Sequence, residues 1–244
     1  MKFATWNLYF KNKNQQACVK FMQSLDIDIL CLQEVRSDTL QYLQQNFYAS
    51  TAIPRHYYGR EVYSVIAAGI KSRANVAKNF NRPIRNTLLS QFSGWRDADS
   101  QFQYSDYLFE KSRLRVFNVH LPYQLAPSLR MLLLDEVMQN LCVDANIVCG
   151  DFNSFAHWPY NPFLGILNRS SWNDFFSNEM KMLKNHCQVR GLKLSMEQVV
   201  TCPFWGTQID HILIPNSWTK FFSRTYGQRF GSDHKPVVLE TTEI

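Results

Sequence analysis

The feature that most constrains the fold is a series of short apolar runs rich in β-branched and aromatic residues. We predict a β-strand from each run. The predicted strands cover residues 2–6, 27–32, 61–70, 114–119, 146–149, 209–214 and 236–240. Several of these runs are apolar at successive positions, which is typical of strands buried on both faces. The chain must therefore cover both sides of its sheets.

Two helical patterns lie between these strands. The first places apolar residues at the spacing of one helical face, and the second runs from about residue 127 to residue 141. The apolar faces consist of Cys18, Phe21, Met22 and Leu25 in the first helix, and of Leu129, Leu132, Leu133, Val137 and Leu141 in the second. Strands and helices in this alternation predict an α/β sandwich. No repeat or linker divides the sequence, so we predict one domain spanning residues 1–244.

The charge balance points to an anionic partner. The net charge is +6 and the pI is near 9.0, which favours nucleic acid, a phospholipid surface or a phosphorylated small molecule. Between Glu61 and Asp97 there is no acid, while six basic residues, Arg73 among them, fall there. This stretch is either an ordinary solvated face or a rim that attracts phosphates.

The cysteines and the termini bear on the compartment. The six cysteines are scattered without C-x-x-C spacing, and several lie inside apolar runs, so we predict free thiols in a reducing environment. No secretory signal pattern and no membrane-length apolar run is recognised. These observations predict a cytoplasmic protein without a transmembrane segment.

Polar side chains lie at the ends of the predicted strands, where strand and loop meet. The residues in these positions are Glu34, His120, Asp151, Asn153, Asp210, Asp233 and His234. Each one alone is also compatible with a surface turn, but their joint occurrence favours a site at the sheet edge. Carboxylate and amide oxygens suit Mg²⁺. Histidines and an amide supply donors to a phosphoryl group, and an acid remains to handle the attacking water.

Six short motifs that contain these polar residues occur along the chain. They are "TWN" at 5–7, "LQEV" at 32–35, "NVHLP" at 118–122, "CGDFN" at 149–153, "IDHILIP" at 209–215 and "SDHKPV" at 232–237. Together they resemble the endonuclease/exonuclease/phosphatase superfamily, whose fold is that of pancreatic deoxyribonuclease. The resemblance implies a four-layer α/β sandwich of two packed mixed β-sheets flanked by helices, with the site at one edge. It also implies metal-dependent phosphoester hydrolysis.

The resemblance implies a role for each motif residue. The metal would be Mg²⁺, or Mn²⁺ in its place. Its ligands would be Glu34, with Asn7 and Asp233 beside it. The catalytic residues would be Asp151 for the attacking water, Asn153, His120 and His234 for the phosphate, and Asp210, which would hydrogen-bond His234 and favour its cationic form. Tyr9 stands where abasic-site endonucleases of the family have an acid, and His120 where they have a tyrosine. Both differences argue against a function in abasic-site repair and against a second metal position.

The motifs do not identify the substrate. Family members cleave DNA, RNA, phosphoinositides or sphingomyelin, so the resemblance indicates the reaction more than the substrate. A nuclease is the first hypothesis; a phosphatase or phospholipase acting on phosphoinositides or another phosphoester is the second, and a non-catalytic binding module is the third. The uncharged loop at residues 154–163 is rich in aromatic residues, among them Trp158. These rings either bind bases or lipid or pack onto the protein. Arg73 and Trp158 are the predicted substrate contacts outside the motifs.

Overall fold

The structure is a computed structural model and describes residues 1–49, 53–57, 60–81, 101–109, 112–154, 174 and 177–244. Helices within these ranges are α1 (Gln15–Ser24), α2 (Ser37–Asn46), α3 (Pro127–Met138) and α4 (Glu179–Val189). The strands are β1 (Lys2–Asn7), β2 (Ile29–Val35), β3 (Tyr48–Ala49), β4 (Ile53–Tyr57), β5 (Arg60–Ala68), β6 (Ala74–Asn79), β7 (Gln101–Phe109), β8 (Ser112–His120), β9 (Ala145–Asp151), β10 (Leu192–Leu194), β11 (Asp210–Pro215), β12 (Phe221–Thr225) and β13 (Val237–Thr241). Among the described residues, no helix is long and apolar enough to span a membrane.

The strands form two mixed sheets. The first sheet has the order β12-β13-β1-β2-β5-β3, with β4 also paired to β5, and the second has the order β10-β11-β9-β8-β7-β6. Each sheet contains one parallel pair, β1 with β2 and β8 with β9. A parallel pair needs a crossover connection, which α1 supplies in the first sheet and α3 in the second.

The two sheets pack face to face, and helices cover their outer faces. On β2, Ile29 and Cys31 join the apolar core between the sheets, whereas Leu30 and Leu32 pack under α1. This alternation follows from the two-residue period of a strand. A third apolar cluster joins the outer face of the second sheet to α3 and α4. The layers are therefore helix, sheet, sheet and helix, as the sequence predicts.

Sequence reasoning anticipates some elements better than others. The seven strands and the two helices predicted from apolar patterns are all present, and the six cysteines form no disulfide. The predicted apolar stripe of α3 is wrong at Leu129, which is 41% exposed. Leu133 and Val137 of the stripe are buried, but so is Arg130, which makes a bidentate ion pair with Glu179 of α4 with both nitrogen-to-oxygen distances at 2.7 Å. Burial of a charged residue through an ion pair leaves no trace in apolar periodicity.

A pair of amides connects the two sheets. Gln33 of β2 donates from Nε2 to Oδ1 of Asn118 of β8 at 2.7 Å. Asn118 donates in turn to the carbonyl oxygens of Leu32 and Val65, both at 3.0 Å. All of these groups are buried, so a shift between the sheets would leave polar groups without partners. Because Gln33 precedes Glu34 and Asn118 lies two residues before His120, the contact also sets the register between these two side chains.

Gly150 allows β8 and β9 to approach each other beside the predicted site. A Cβ atom at this position would lie 1.8 Å from the carbonyl oxygen of Val119. The backbone φ of Gly150 is 152°, in a range that L side chains rarely adopt. Any side chain here would push the two strands apart at the point where Asp151 begins the next loop.

Gly150→Ala is therefore expected to destabilise the protein by at least about 2 kcal/mol, because the methyl group overlaps backbone that cannot move away cheaply. Chemical denaturation followed by circular dichroism measures this change. Gly69→Ala is the matched control, since no heavy atom lies within 4 Å of its added Cβ, and it should change stability by less than about 0.5 kcal/mol. Equal denaturation midpoints for the two variants would refute the close approach.

Candidate active site

The two sheets bring the motif residues together at one edge. Sheet 1 supplies residues from the ends of β1 and β2 and from the segment before β13, and sheet 2 supplies residues from the ends of β8 and β9 and the start of β11. These residues are Asn7, Glu34, Asp233 and His234 on the first sheet, and His120, Asp151, Asn153 and Asp210 on the second. In β9 and β11 the Cα atoms of Asp151 and Asp210 are register partners. In β8 and β9, those of His120 and Asp151 are partners.

Glu34 lies at an irregularity of β2. Its φ is +55°, and the pairing of β2 with β5 shifts register between Leu32 and Val35. A non-glycine residue in this region is strained and persists only when its surroundings hold it. The carboxylate accepts the N–H of Phe10 at Oε2, at 2.8 Å. The bulge thus turns the Glu34 side chain into the site.

Gln15 holds this strained turn from the start of α1. Its amide nitrogen donates to the carbonyl oxygen of Glu34 at 2.8 Å and to that of Tyr9 at 2.9 Å. Its amide oxygen accepts the N–H of Arg36 at 2.8 Å. One buried side chain therefore joins the loop after β1 to the end of β2, and both segments contribute to the site.

Asn7 stands between two carboxylates. Its Nδ2 donates to Oε1 of Glu34 at 3.2 Å and to Oδ2 of Asp151 at 3.0 Å, while its Oδ1 accepts the N–H of Tyr9 at 3.0 Å. Because the Tyr9 N–H requires an oxygen acceptor, this arrangement fixes which end of the amide faces the acids. The structure thus turns a nitrogen donor toward the carboxylates, whereas the resemblance implied an oxygen ligand at Asn7.

Asp151 is an almost fully buried acid. Its Oδ1 accepts the N–H of Asn153 at 2.9 Å, and its Oδ2 accepts Nδ2 of Asn7. Burial, together with the negative charge of Asp210, raises the pKa of Asp151 to about 7, although His234 and the two donors act in the opposite direction. An acid with a pKa near neutrality is suited to take up a proton from water.

His234 and Asp210 form a buried pair. Nδ1 of His234 donates to Asp210 Oδ2 at 2.9 Å. The main chain of His234 is held at both ends, since its N–H donates to Ser232 Oγ at 3.0 Å and its carbonyl accepts Trp6 Nε1 at 3.0 Å. Burial alone lowers the pKa of His234, but Asp210 and Asp151 outweigh it and raise that pKa well above its ordinary value. The imidazole is therefore cationic at neutral pH, with Nε2–H directed away from Asp210.

His120 is the neutral counterpart of His234. Burial, together with the positive charges of Arg55 and His234, holds the pKa of His120 well below its ordinary value. Arg55 also donates to the carbonyl oxygen of His120 at 3.2 Å. The two imidazoles therefore differ in charge although they face the same acid.

The spacing around Asp151 leaves room for an oxygen of a ligand. Its Oδ2 lies 3.7 Å from Nε2 of His120 and 3.8 Å from Nε2 of His234. Nε2 of His120 also lies 4.0 Å from Oε1 of Glu34. These separations exceed hydrogen-bond length, so the acids and the imidazole Nε2 atoms converge without bonding one another directly, and an oxygen of water or of a phosphate placed to one side can contact both.

Asp233 supplies an oxygen suited to a cation. Its Oδ1 is buried and, among the described residues, accepts no hydrogen bond. Burial raises the pKa of Glu34 and the negative charge of Asp233 raises it further, although Phe10, Asn7 and His234 act in the opposite direction. The two carboxylates therefore repel each other across the site. Oxygen-rich donors with unfavourable mutual charge fit a hard divalent cation. The residues at this edge therefore fit the metal that the resemblance implies.

A second group of possible ligands lies alongside. Ligand atoms of Asp151, Asp210 and His234 all fall within 4.8 Å of one another. In this group, however, Nδ1 of His234 already donates to Asp210, and that hydrogen bond would have to break to free both atoms for a metal. Because the hydrogen bond between His234 and Asp210 is intact, Glu34 and Asp233 are the better-suited ligands for a cation.

Asn153 and Arg73 differ in how the structure places them. Asn153 has a φ of +49° and donates from Nδ2 to the carbonyl oxygen of Leu121 at 2.8 Å, which fixes its side chain at the site. Arg73 directly precedes β6, at the end of the second sheet where Ala74 pairs with Asp106. The site occupies the opposite end of that sheet, so the structure does not bring Arg73 to it. Trp158 lies outside the described residues.

Several supporting residues escape sequence reasoning because they are uncharged. Thr201 Oγ1 accepts the N–H groups of Ile209 at 3.0 Å and of Asp210 at 3.1 Å, which fixes the start of β11. Ser232 Oγ donates to the carbonyl oxygen of Asn7 at 2.7 Å. The sequence pattern that could identify such residues is a polar side chain next to an otherwise apolar run, as Gln33 illustrates in "ILCLQEV".

Known proteins agree with this geometry at the level of family and fold. A model of the Endonuclease/Exonuclease/phosphatase family matches residues 4–234. No curated protein matches the chain by sequence. The matched range includes every motif residue at the sheet edge, from Asn7 to His234.

Solved structures confirm the predicted fold class. An endonuclease/exonuclease/phosphatase family protein from Leptotrichia buccalis has a TM-score of 0.69 at 14% identity, with 99% of each chain covered. TDP2 of D. rerio, complexed with a single-strand DNA product, has a TM-score of 0.63 at 13% identity, with 99% of each chain covered. The AP endonuclease LMAP of Leishmania major has a TM-score of 0.61 at 16% identity, with 98% of this chain and 86% of that chain covered. At these identities the similarity concerns the fold alone.

The pKa of Asp151 predicts a pH-dependent gain of stability in Asp151→Asn. The pKa is about 7 in the folded protein and 3.8 in its ordinary state. This group therefore favours folding most below pH 3.8 and loses that contribution as the pH rises through 7. With EDTA present, Asp151→Asn should raise the melting temperature on the order of 5 °C at pH 8 and by less at pH 5.

Differential scanning calorimetry at both pH values measures the effect. Asp135→Asn is the matched control, because Asp135 is a half-buried acid paired with His186 at 3.0 Å outside the site. That variant should show no gain that increases with pH. A lower melting temperature of Asp151→Asn at both pH values would contradict the charge burial.

Proposed function

The chain belongs to the endonuclease/exonuclease/phosphatase family, and from this premise we propose that it is a Mg²⁺-dependent phosphodiesterase that cleaves nucleic acid. Family membership supports the class of reaction. The nucleic-acid substrate and the role of each residue are inferred from the chemistry of the site.

The main support is the unequal protonation of two histidines around one acid. Asp151 has a pKa near neutrality and lies within 3.8 Å of both Nε2 atoms. His234 is cationic and His120 is neutral at the same pH. Groups held in different charge states at one site are typical of acid–base catalysis.

Each side chain then has a distinct task. Ionised Asp151 orients the attacking water and takes its proton at Oδ2 as the water oxygen bonds to phosphorus and the bond from phosphorus to the leaving oxygen on the opposite face breaks. Cationic His234 donates from Nε2 to a non-bridging phosphate oxygen, where negative charge increases in the transition state. His120 and Asn153 hold further phosphate oxygens. Asp210 retains the proton on Nδ1 of His234 and so keeps Nε2 directed at the phosphate.

Mg²⁺, or Mn²⁺ in its place, would be held by Glu34 and Asp233. When bound, the cation supplies Lewis-acid stabilisation of the charge that develops on the phosphate and the leaving oxygen. Asn7 holds the carboxylates of Glu34 and Asp151 at a fixed separation through its two donated hydrogen bonds. Phe10 and Gln15 orient Glu34 from the opposite side.

Nucleic acid is the substrate class that the charge balance favours. The net charge of +6 attracts a polyanion. TDP2 of D. rerio, which has the same fold, is complexed with single-strand DNA product. Endonucleolytic and exonucleolytic cleavage are both compatible with the site described above.

Two substitutions test the catalytic roles. Asp151→Asn and His234→Ala should each lower the rate of oligonucleotide cleavage by at least about 100-fold. His186→Ala is the matched control, because His186 also pairs with an aspartate but lies on α4, and its rate should equal that of the unmodified protein. Unchanged rates in Asp151→Asn and His234→Ala would exclude the assigned roles and favour a binding module without catalysis.

A substrate panel with and without EDTA tests the substrate class. Duplex DNA, single-stranded DNA, RNA, phosphoinositides and sphingomyelin are incubated with Mg²⁺ or Mn²⁺. Cleavage of a nucleic acid that EDTA abolishes is the expected result. Phosphate release from phosphoinositides without cleavage of any nucleic acid would replace the nuclease by a phosphoinositide phosphatase.

A further inference from the structure

A row of aromatic and cationic side chains leads away from the site along the first sheet. The row lies at strand β12, the loop that follows it and the adjacent face of α1. We call it the aromatic strip, and it consists of Phe21, Phe222, Arg224, Tyr226 and Phe230. Phe222 and Arg224 are both exposed and share one face of β12, since alternate residues of a strand point the same way.

The members of the strip contact one another in sequence. The Arg224 guanidinium lies 5.8 Å from the centre of the Phe222 ring and 4.8 Å from that of Tyr226. The Phe21 ring lies 5.4 Å from the rings of both Tyr226 and Phe230. A guanidinium is thus held between aromatic rings, and the rings continue without interruption to the loop before β13.

The strip exposes aromatic surface to solvent at both ends. Phe222 is 60% exposed and Phe230 is 38% exposed. Contiguous exposed aromatic surface next to a catalytic site commonly marks a binding site. Arg224 and Arg229 lie in the open beside these rings, so the surface offers stacking faces and positive charge together.

The strip is continuous with the candidate active site. Phe230 precedes Asp233 by three residues, and the N–H of Ser232, which directly precedes Asp233, donates to the carbonyl oxygen of Arg229 at 2.9 Å. At the other end, the four steps along the chain from Phe222 to Tyr226 span about 13 Å of extended backbone. A chain bound at the scissile phosphate therefore reaches the strip directly.

We infer that the aromatic strip binds unpaired nucleotides of a single-stranded substrate adjacent to the scissile phosphate. Bases stack on Phe230 and Phe222, and backbone phosphates pair with Arg229 and Arg224. This inference rests on the proposed function. It adds a preference for single strands, which the catalytic residues do not provide.

Unpaired nucleic acid fits the strip better than the alternatives do. A duplex conceals its base faces and would leave the rings without partners. Anchoring in a membrane requires a large apolar face, whereas here a guanidinium separates the rings and the exposed acid Glu240 lies opposite Phe222 in the β12–β13 register. Glu240 also repels phosphates and thus defines the far end of the strip.

Binding is tested in a background that does not cleave. Asp151→Asn in EDTA is titrated with fluorescein-labelled oligothymidylate and oligouridylate of 12 nucleotides, with a 12-base-pair duplex, and with vesicles of phosphatidylserine and phosphatidylcholine. Adding Phe222→Ala and Phe230→Ala together should weaken single-strand binding by at least about 10-fold. Adding Arg224→Ala should lower the slope of log affinity against log salt by about 0.7. Circular dichroism checks that each variant is folded.

Two exposed residues outside the strip serve as controls. Tyr48→Ala removes an aromatic side chain that is 60% exposed on β3, and Arg190→Ala removes an exposed cation after α4. Both should leave single-strand affinity unchanged. Three results would overturn the inference. The protein with an unmodified strip binds neither oligonucleotide, the control variants lose as much single-strand affinity as the strip variants, or duplex and single strand bind with equal affinity. If the strip variants lose vesicle binding but keep oligonucleotide binding, the strip is a membrane-binding surface instead.

A kinetic comparison separates failure of the strip from failure of the proposed function. In the active protein, the strip variants should raise KM for a 12-nucleotide strand about 10-fold and leave turnover of bis(4-nitrophenyl) phosphate unchanged. If the unmodified protein hydrolyses neither substrate, the proposed function fails, and the binding titration alone decides on the strip. If it hydrolyses both and the strip variants match it on the long strand, the strip is not a substrate site.

Discussion

The hydrogen bond between the amides of Gln33 and Asn118 is the contact on which the site depends. It joins the two buried sheet faces at 2.7 Å, and Asn118 continues it to the carbonyl oxygens of Leu32 and Val65. Apolar side chains alone tolerate sliding of one sheet on the other, whereas buried amides must keep specific partners. Because the residues of the site come from both sheets, this register decides whether they meet at all.

The site concentrates negative charge where water is scarce. Glu34 and Asp151 are buried with raised pKa values, and Asp233 adds a third carboxylate. Such an arrangement opposes folding, and the protein offsets it with cationic His234 and with the donors from Asn7 and the main chain. Under the proposed function, a divalent cation would offset the remaining negative charge. The same clustering of carboxylates that opposes folding would then favour binding of the cation.

Sequence reasoning reached the fold and most of the candidate site residues because each of these residues lies at or near one end of an apolar run. It could not reach what depends on register or on orientation. Arg73 is placed far from the site by the pairing of β6 with β7, and no local pattern specifies that pairing. Asn7 presents nitrogen because the N–H of Tyr9 claims its oxygen. Edge strand β12, with the sequence FFSRT, lacks the buried apolar run from which the seven predicted strands were recognised.

The location of the cation is the most direct test of this view of the site. Crystals of the protein soaked in Mn²⁺ would be measured at a wavelength where manganese scatters anomalously. We predict a peak coordinated by the carboxylate oxygens of Glu34 and Asp233, with the hydrogen bond from His234 to Asp210 intact. A peak ligated instead by Asp151, Asp210 and His234, or a site that takes up no Mn²⁺, would contradict it.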